Sequence, residues 1–286
     1  MASQERPDDH IVGVVDDLAS EKDQPEATGE TLAGGFKLPL PRWQMVAVMA
    51  FVVVLIQIGS YFFPPFLFPD VPAVASALVE IFTGEWATVY ITVQRFLTAV
   101  LCALVMGWFF GLLMGIVRPI GELLEPVFSL VLAIPALSWI LVAVLWFRGI
   151  ELRIFFVVFV IALPFYVVSV YEGTKALDAE LLEGTEQFRP TRLQVVRILL
   201  IPHSVPYVVL TTKSVAGLTM RILVFAELIG AGSGMGSAMS RAQAAFRIDR
   251  VFAWTIMLVL VSFAFLAVVR WIELKVLKWR PESVKK

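Results

Sequence analysis

Three ionisable residues lie within one apolar segment in the C-terminal third of the chain: Lys213, Arg221 and Glu227. A charge inside a membrane helix costs roughly 2.5–3.5 kcal/mol even on the mildest scale, so such residues usually have a function or a partner. Lys213 and Glu227 share nearly one helical face, whereas Arg221 lies about 80° round the helix from Lys213. Two interpretations stay open. Either this helix faces a watery, positively biased pathway for an anion, or Lys213 and Glu227 snorkel to opposite ends and Arg221 pairs with a neighbouring carbonyl.

The residues needed for catalysis or nucleotide binding are not assembled in this sequence. There is no Gly-Lys-Ser or Gly-Lys-Thr, so the phosphate-binding loop of ATPases is excluded, and any ATP and Mg²⁺ must be bound by a partner. The glycines of segment 230–236 do not fit the dinucleotide fingerprint and predict a flexible turn. His10 and His203 do not suggest a metal site, and Cys102 is the single cysteine. We therefore expect a protein that is not an enzyme and that binds no cofactor or metal itself.

Composition predicts that an all-α integral membrane protein positions these residues. Of 286 residues, 59% are hydrophobic and 16% are charged, whereas soluble domains are nearer roughly 45–50% apolar. A membrane helix needs roughly 20 mostly apolar residues. Six transmembrane helices are predicted, over about 44–63, 92–117, 123–147, 154–171, 205–228 and 251–270. They lie in a transmembrane domain over 37–275, between a disordered acidic tail, 1–36, and a basic C-terminus, 276–286.

The distribution of Lys and Arg predicts which side of the membrane each connection faces. If the N-terminus is cytoplasmic, fifteen Lys and Arg residues near the spans lie inside and five lie outside. This excess agrees with the positive-inside rule. Both termini and the polar segment 178–202 are therefore predicted to face the cytoplasm.

The polar segment 178–202 predicts two short helices joined by a turn. Residues 178–188 favour a helix, and Arg189 precedes Pro190, which disfavours helical geometry at that point. Pro190 can begin a second helix, which we expect to stop at Pro202. Two short helices on the cytoplasmic face form a compact projection, suited to transmit a push from a soluble partner to the adjoining spans.

Small residues and a proline predict how the spans pack. Gly107, Gly111 and Gly115 form one stripe on the second span, which allows another helix to approach closely. Packing within the fold is the interpretation that we favour for this stripe. Pro135 lies inside the third span and frees carbonyl groups that protein or water must satisfy. A broken helix there either lines a pathway or serves packing alone.

The polar segment resembles the cytoplasmic loop signature of ABC importer permeases: Glu-Ala-Ala, three residues, Gly, nine residues, Ile-x-Leu-Pro. On this chain the pattern begins at Glu183 and ends at Pro202 with the spacing intact. Gly184 and Thr185 are small replacements for the two alanines, while Arg189 occupies the position of the glycine.

The wider sequence is similar to permeases of the nitrate, sulfonate, taurine and bicarbonate type. The segments that carry this resemblance are 68–72 (FPDVP), 92–95 (TVQR), 134–135 (IP), 202–206 (PHSVP), 226–228 (AEL) and 233–236 (SGMG). The resemblance implies a type I ABC importer permease of the prokaryotic inner membrane, which forms half of the solute pathway as a homodimer and works by alternating access. It also implies two ATPase subunits docked at the loop, an extracytoplasmic solute-binding protein, and no nucleic acid.

The resemblance and the residue chemistry together define the predicted sites. The residues assigned to ATPase coupling are Glu183, Gly184, Thr185, Phe188, Arg189, Pro190, Arg192 and Pro202. The pathway candidates are Pro135, Lys213, Arg221 and Glu227. The expected solute is a small organic or inorganic anion.

Two other functions stay open on the sequence alone. A secondary carrier or channel would use the same spans and buried charges without an ATPase, and its uptake would follow an ion gradient. A membrane sensor or assembly protein would use the loop for docking only, and vesicles with all partners present would show no solute flux.

Overall fold

The computed structural model describes residues 42–64, 67–177 and 191–277, and these residues form helices and their connections. The helices are α1 (Arg42–Phe62), α2 (Val71–Gly84), α3 (Trp86–Ile116), α4 (Arg118–Ala133), α5 (Ala136–Trp146), α6 (Ile150–Lys175), α7 (Arg192–Val195), α8 (Ile201–Gly230), α9 (Met235–Ala244) and α10 (Ile248–Val276). A π-helical turn, Val196–Leu200, joins α7 to α8. The predicted all-α architecture is confirmed.

Four of the described helical segments are long and apolar enough to cross a membrane: α3, α6, Val196–Gly230 and α10. Helices α4 and α5 pass the same test together, which raises the number to five if the pair is one span. The first predicted span, 44–63, is helical in α1.

The third predicted span, 123–147, is divided at Pro135. The axes of α4 and α5 differ by 94°, and Ile134 between them has an extended backbone, with ψ 127°. Proline lacks an N–H group and pushes the preceding residue out of helical geometry, so the sequence itself ends α4 here. Pro126 and Pro164, in contrast, lie inside unbroken helices.

Helix α6 is the centre of the packed core, with α3 on one side and α8 on another. The glycine stripe of α3 lies directly against it. A Cβ atom added to Gly107 would lie 2.4 Å from Cβ of Tyr166, and one added to Gly111 would lie 2.6 Å from Cβ of Val170. Both distances are shorter than van der Waals contact. The missing side chains therefore let the α3 and α6 backbones approach, which gains dispersion contacts in lipid.

Hydroxyl groups connect α8 to the same core. Tyr166 Oη donates to Thr212 Oγ1 at 3.1 Å, and Thr211 Oγ1 donates to Ser169 Oγ at 2.6 Å. Trp108 Nε1 of α3 donates to Ser204 Oγ of α8 at 2.7 Å. Interhelical bonds of this kind contribute about 0.6 kcal/mol each on average. Helices α3, α6 and α8 thus form one packed unit.

A second cluster joins α2, α9 and α10 at one end of the molecule. Val74, Ala77 and Ile81 are buried on α2, and their spacing places them on a single helical face. The cluster surrounds Trp254 of α10 and includes Met235 of α9. The short amphipathic helix α2 therefore packs against the first turns of α10 and does not belong to the core of α3, α6 and α8.

Candidate functional site

Arg95, nine residues into α3, joins three elements of the fold. Its Nη1 donates to Glu227 Oε1 on α8 and to the Ser233 carbonyl, both at 2.8 Å. Its Nε donates to Glu151 Oε2 on α6 at 2.8 Å. Its Nη2 bonds Glu151 Oε1 as well as Ser233 Oγ, the latter at 2.9 Å. All five N–H donors of the guanidinium group are therefore used.

Glu227 is completely buried, with 0% of its surface exposed. Besides Arg95, its carboxylate accepts hydrogen bonds from Thr92 Oγ1 at 3.0 Å and from the Gly236 amide at 2.9 Å. Thr92 Oγ1 in turn accepts a bond from the Met235 amide at 2.8 Å. A buried charge is tolerated only when it is paired and hydrogen-bonded. The carboxylate thus organises the chain that leaves α8 and enters α9.

Glycines in this turn let the backbone close around the carboxylate. Gly234 has φ 100°, and a Cβ atom there would lie 2.2 Å from Glu227 Oε1. A Cβ atom on Gly236 would lie 2.3 Å from the Val224 carbonyl oxygen. Only glycine adopts this φ readily. The predicted turn is present, and two of its glycines provide the space that Glu227 needs.

The two cations predicted on α8 have different surroundings. Lys213 Nζ donates to Glu273 Oε2 on α10 at 2.6 Å. Arg221 is exposed, and its Nε donates to the Gly217 carbonyl of its own helix at 2.9 Å. Within the described ranges, no carboxylate pairs with Arg221. Lys213 and Glu227 are therefore neutralised by separate partners, and Arg221 is not.

The other predicted site residues fall in several places. Pro135 is exposed at the break between α4 and α5. Arg192 is the first residue of α7, and Pro202 is exposed near the start of α8. The coupling residues that lie outside the described ranges are Glu183, Gly184, Thr185, Phe188, Arg189 and Pro190.

The prediction that a second short helix stops at Pro202 is wrong. The chain is helical from Arg192 through the π-helical turn into α8. Pro202 occupies the second position of α8, immediately after the wider π-helical turn. Proline lacks an N–H group, and the irregular π-helical turn stands directly before this gap in the helical hydrogen bonds. Residues 192–202 therefore lead into α8 without a break.

Sequence reasoning gave no role in the site to Arg95 as an ion-pair partner, nor to Thr92 or Glu151. A signal for them was present: Glu227 is an acid inside an apolar span, and it requires a cation from another span. Arg95 is a charged residue within the membrane-length helix α3. The choice among the available cations depends on tertiary packing.

The arrangement can be compared with known proteins. Residues 103–278 match the family described as "Binding-protein-dependent transport system inner membrane component". A putative ABC transporter permease of Methanocaldococcus jannaschii is 26% identical over 80% of this chain and 88% of its own length. A putative aliphatic sulfonates transport permease of Bacillus subtilis is 27% identical over 70% and 73%. The taurine transport system permease of Escherichia coli is 23% identical over 69% and 72%.

The fold also matches a solved structure of this kind. A chain of the MetNI methionine ABC transporter, in an inward-facing conformation, superposes with a TM-score of 0.50 at 17% identity, covering 66% of this chain and 97% of that one. This similarity confirms the predicted type I ABC importer permease fold. The predicted resemblance to ABC importer permeases of the nitrate, sulfonate and taurine type is confirmed by relatives named for each of these three solutes. With the family matched over more than half of its length, the chain belongs to the binding-protein-dependent transport system inner membrane components.

Proposed function

We propose that this chain is the permease subunit of an ATP-driven importer, in which two copies form the solute pathway by alternating access. The observation that carries the proposal is the position of α6. Residues 178–190 of the polar segment follow the C-terminal end of α6 in the sequence. Helix α6 is packed along its length between α3 and α8. A force applied to that segment is therefore delivered directly to the packed core.

The polar segment also has a second continuous connection to the core. On its C-terminal side, α7 and the π-helical turn lead without interruption into α8. The segment thus lies between two helices that are hydrogen-bonded to each other through Tyr166 and Thr212. In this proposal, Glu183 to Pro202 face the cytoplasm and dock an ATPase subunit, which binds the ATP and Mg²⁺.

The proposed solute is a small anion, delivered by an extracytoplasmic binding protein. Two relatives are named for aliphatic sulfonates and for taurine, both of which carry a sulfonate group. Arg221, a cation on α8 that has no carboxylate partner among the described residues, agrees with this charge preference. The chain itself needs no chemistry on the solute, because its task is to change which side of the membrane the site faces.

The test is Glu183→Lys in the complete importer, purified with its ATPase and binding protein and reconstituted in vesicles. The solute is first identified by mass spectrometry of the ligand bound to the purified complex. We expect ATP-driven uptake to fall at least about tenfold, the effect of about 1.4 kcal/mol of lost coupling free energy. ATP hydrolysis and the amount of protein in the membrane should remain.

The matched control is Glu122→Lys, which makes the same charge change at an exposed glutamate of α4. Uptake should stay close to wild type in this variant. Wild-type uptake in Glu183→Lys would contradict the coupling role. Uptake that persists after ATP depletion and follows an ion gradient would indicate a secondary carrier instead.

A further inference from the structure

One side of α8 is left uncovered by the described part of the chain. The residues on this side, which we call the open stripe, are Leu210, Ser214, Gly217, Arg221 and Phe225. Their spacing of three or four residues places them on one helical face. Nothing lies within 4 Å of the position that a Cβ atom would take on Gly217. The remaining faces of α8 pack against the core.

Arg221 is the cation of the open stripe, and its position does not suit contact with lipid tails. The bond from Nε to the Gly217 carbonyl holds the side chain against its own helix. The nearer end of α8, Gly230, is nine residues away, or about 13 Å along the axis. A guanidinium group held at this depth is costly in hydrocarbon, so such residues face protein or a water-filled space.

The terminal nitrogens of Arg221 have no acceptor among the residues that the structure describes. This distinguishes Arg221 from Arg95, whose five donors are all used. It also distinguishes Arg221 from Lys213, which is paired with Glu273. A guanidinium group with two free nitrogens matches the oxygens of a sulfonate, carboxylate or nitrate in bidentate geometry.

We propose that Arg221 contacts the solute and selects oxoanions, and that the open stripe is the wall of the pathway. This inference rests on the proposed importer function and adds the residue that sets the charge of the solute. Gly217 leaves room beside the guanidinium group for the anionic end of the solute. Leu210 and Phe225 are the exposed apolar residues at the two ends of the stripe.

The test measures the electrostatic potential at the stripe without knowledge of the natural solute. In the complete importer carrying Cys102→Ala, a single cysteine is introduced by Gly217→Cys, at a position with room for a side chain. Its reaction rates are measured with two reagents of similar size, the anionic sulfonatoethyl and the cationic trimethylammonioethyl methanethiosulfonate. The readout is the ratio of the anionic to the cationic rate.

With Arg221 present, we expect the anionic reagent to react faster than the cationic one. In Arg221→Gln the ratio should fall at least about fivefold, because one unit charge about 8 Å away attracts one reagent and repels the other. Arg221→Lys should keep most of the ratio. Arg241→Gln, which removes a cation of α9 that bonds the Gly232 carbonyl and Ser237, should leave the ratio unchanged. Ser214→Cys, on the same stripe, serves as a second reporter where Gly217→Cys impairs assembly.

Two outcomes would overturn the inference. No reaction at either reporter would mean that the stripe is buried, for example between two copies of the chain. A ratio that Arg221→Gln does not change would mean that Arg221 does not set the local potential. ATP-driven uptake by the Cys102→Ala importer is measured in the same vesicles, so a failure of the importer function itself is recognised separately.

Discussion

Arg95 and Glu227 are separated by 132 residues in the chain, yet their Nη1 and Oε1 atoms are 2.8 Å apart. Both side chains are buried, with 6% and 0% of their surface exposed. Glu151 completes the cluster from α6, so each helix of the packed core contributes one charged residue. The cluster holds these helices together near the N-terminal end of α6.

The first prediction concerns the buried carboxylate. Glu227→Ala should destabilise the protein by about 3 kcal/mol, because Arg95 loses a buried partner and the Gly236 amide loses its acceptor. The measurement is the unfolding temperature of the purified protein in detergent. Glu122→Ala, at an exposed pair with Arg118, should change stability by less than about 0.5 kcal/mol. Equal unfolding temperatures for the two variants would contradict this role of Glu227.

The second prediction concerns the turn beside that carboxylate. Gly234→Ala should destabilise the protein by roughly 2 kcal/mol or more, since φ 100° is strained for alanine and the new methyl group meets Glu227. Gly232 lies in the same turn with nothing within 4 Å, so Gly232→Ala is the matched control. Both variants are compared by thermal unfolding. Tolerance of Gly234→Ala at the level of the control would show that the turn adapts.

The third prediction tests the contact between α3 and α6. Gly111→Ala places a methyl group 2.6 Å from Val170 Cβ and 2.8 Å from the Val167 carbonyl oxygen. The helices must separate, and overpacking of this kind costs about 1–3 kcal/mol. Gly84→Ala, where the new group meets nothing within 4 Å, should be neutral. The two variants are compared by thermal unfolding in detergent. Equal unfolding temperatures would count against close packing of α3 on α6.

The fourth prediction decides whether Lys213 is a structural partner of Glu273. Lys213→Glu and Glu273→Lys should each lower stability, while the double variant should recover roughly 1 kcal/mol or more of the combined loss. The measurement is a double-mutant cycle by thermal unfolding in detergent. Full additivity of the two losses would mean that the 2.6 Å pair contributes nothing, and would favour a role for Lys213 in the pathway.

The positions of the helices were predictable because they depend on nearby residues: apolar runs of membrane length form helices, and prolines restrict the backbone next to them. The break at Pro135 follows from the restriction on Ile134, and the glycine stripe follows from four-residue spacing. The pairings were not predictable in the same way. Lys213 meets Glu273 and Arg95 meets Glu227 across 60 and 132 residues, and hydropathy carries no information about which spans become neighbours. The helix end expected at Pro202 was wrong because the chain stays helical across this proline by way of the π-helical turn Val196–Leu200.

The two ends of α8 are held in different ways. Near its C-terminal end Glu227 bonds Arg95 of α3, whereas its N-terminal end follows the irregular turn Val196–Leu200 and contains Pro206. A rod of 30 residues is about 45 Å long. Because Ser204, Thr212 and Glu227 attach this rod to the core at three heights, a displacement of one tip is carried to the other.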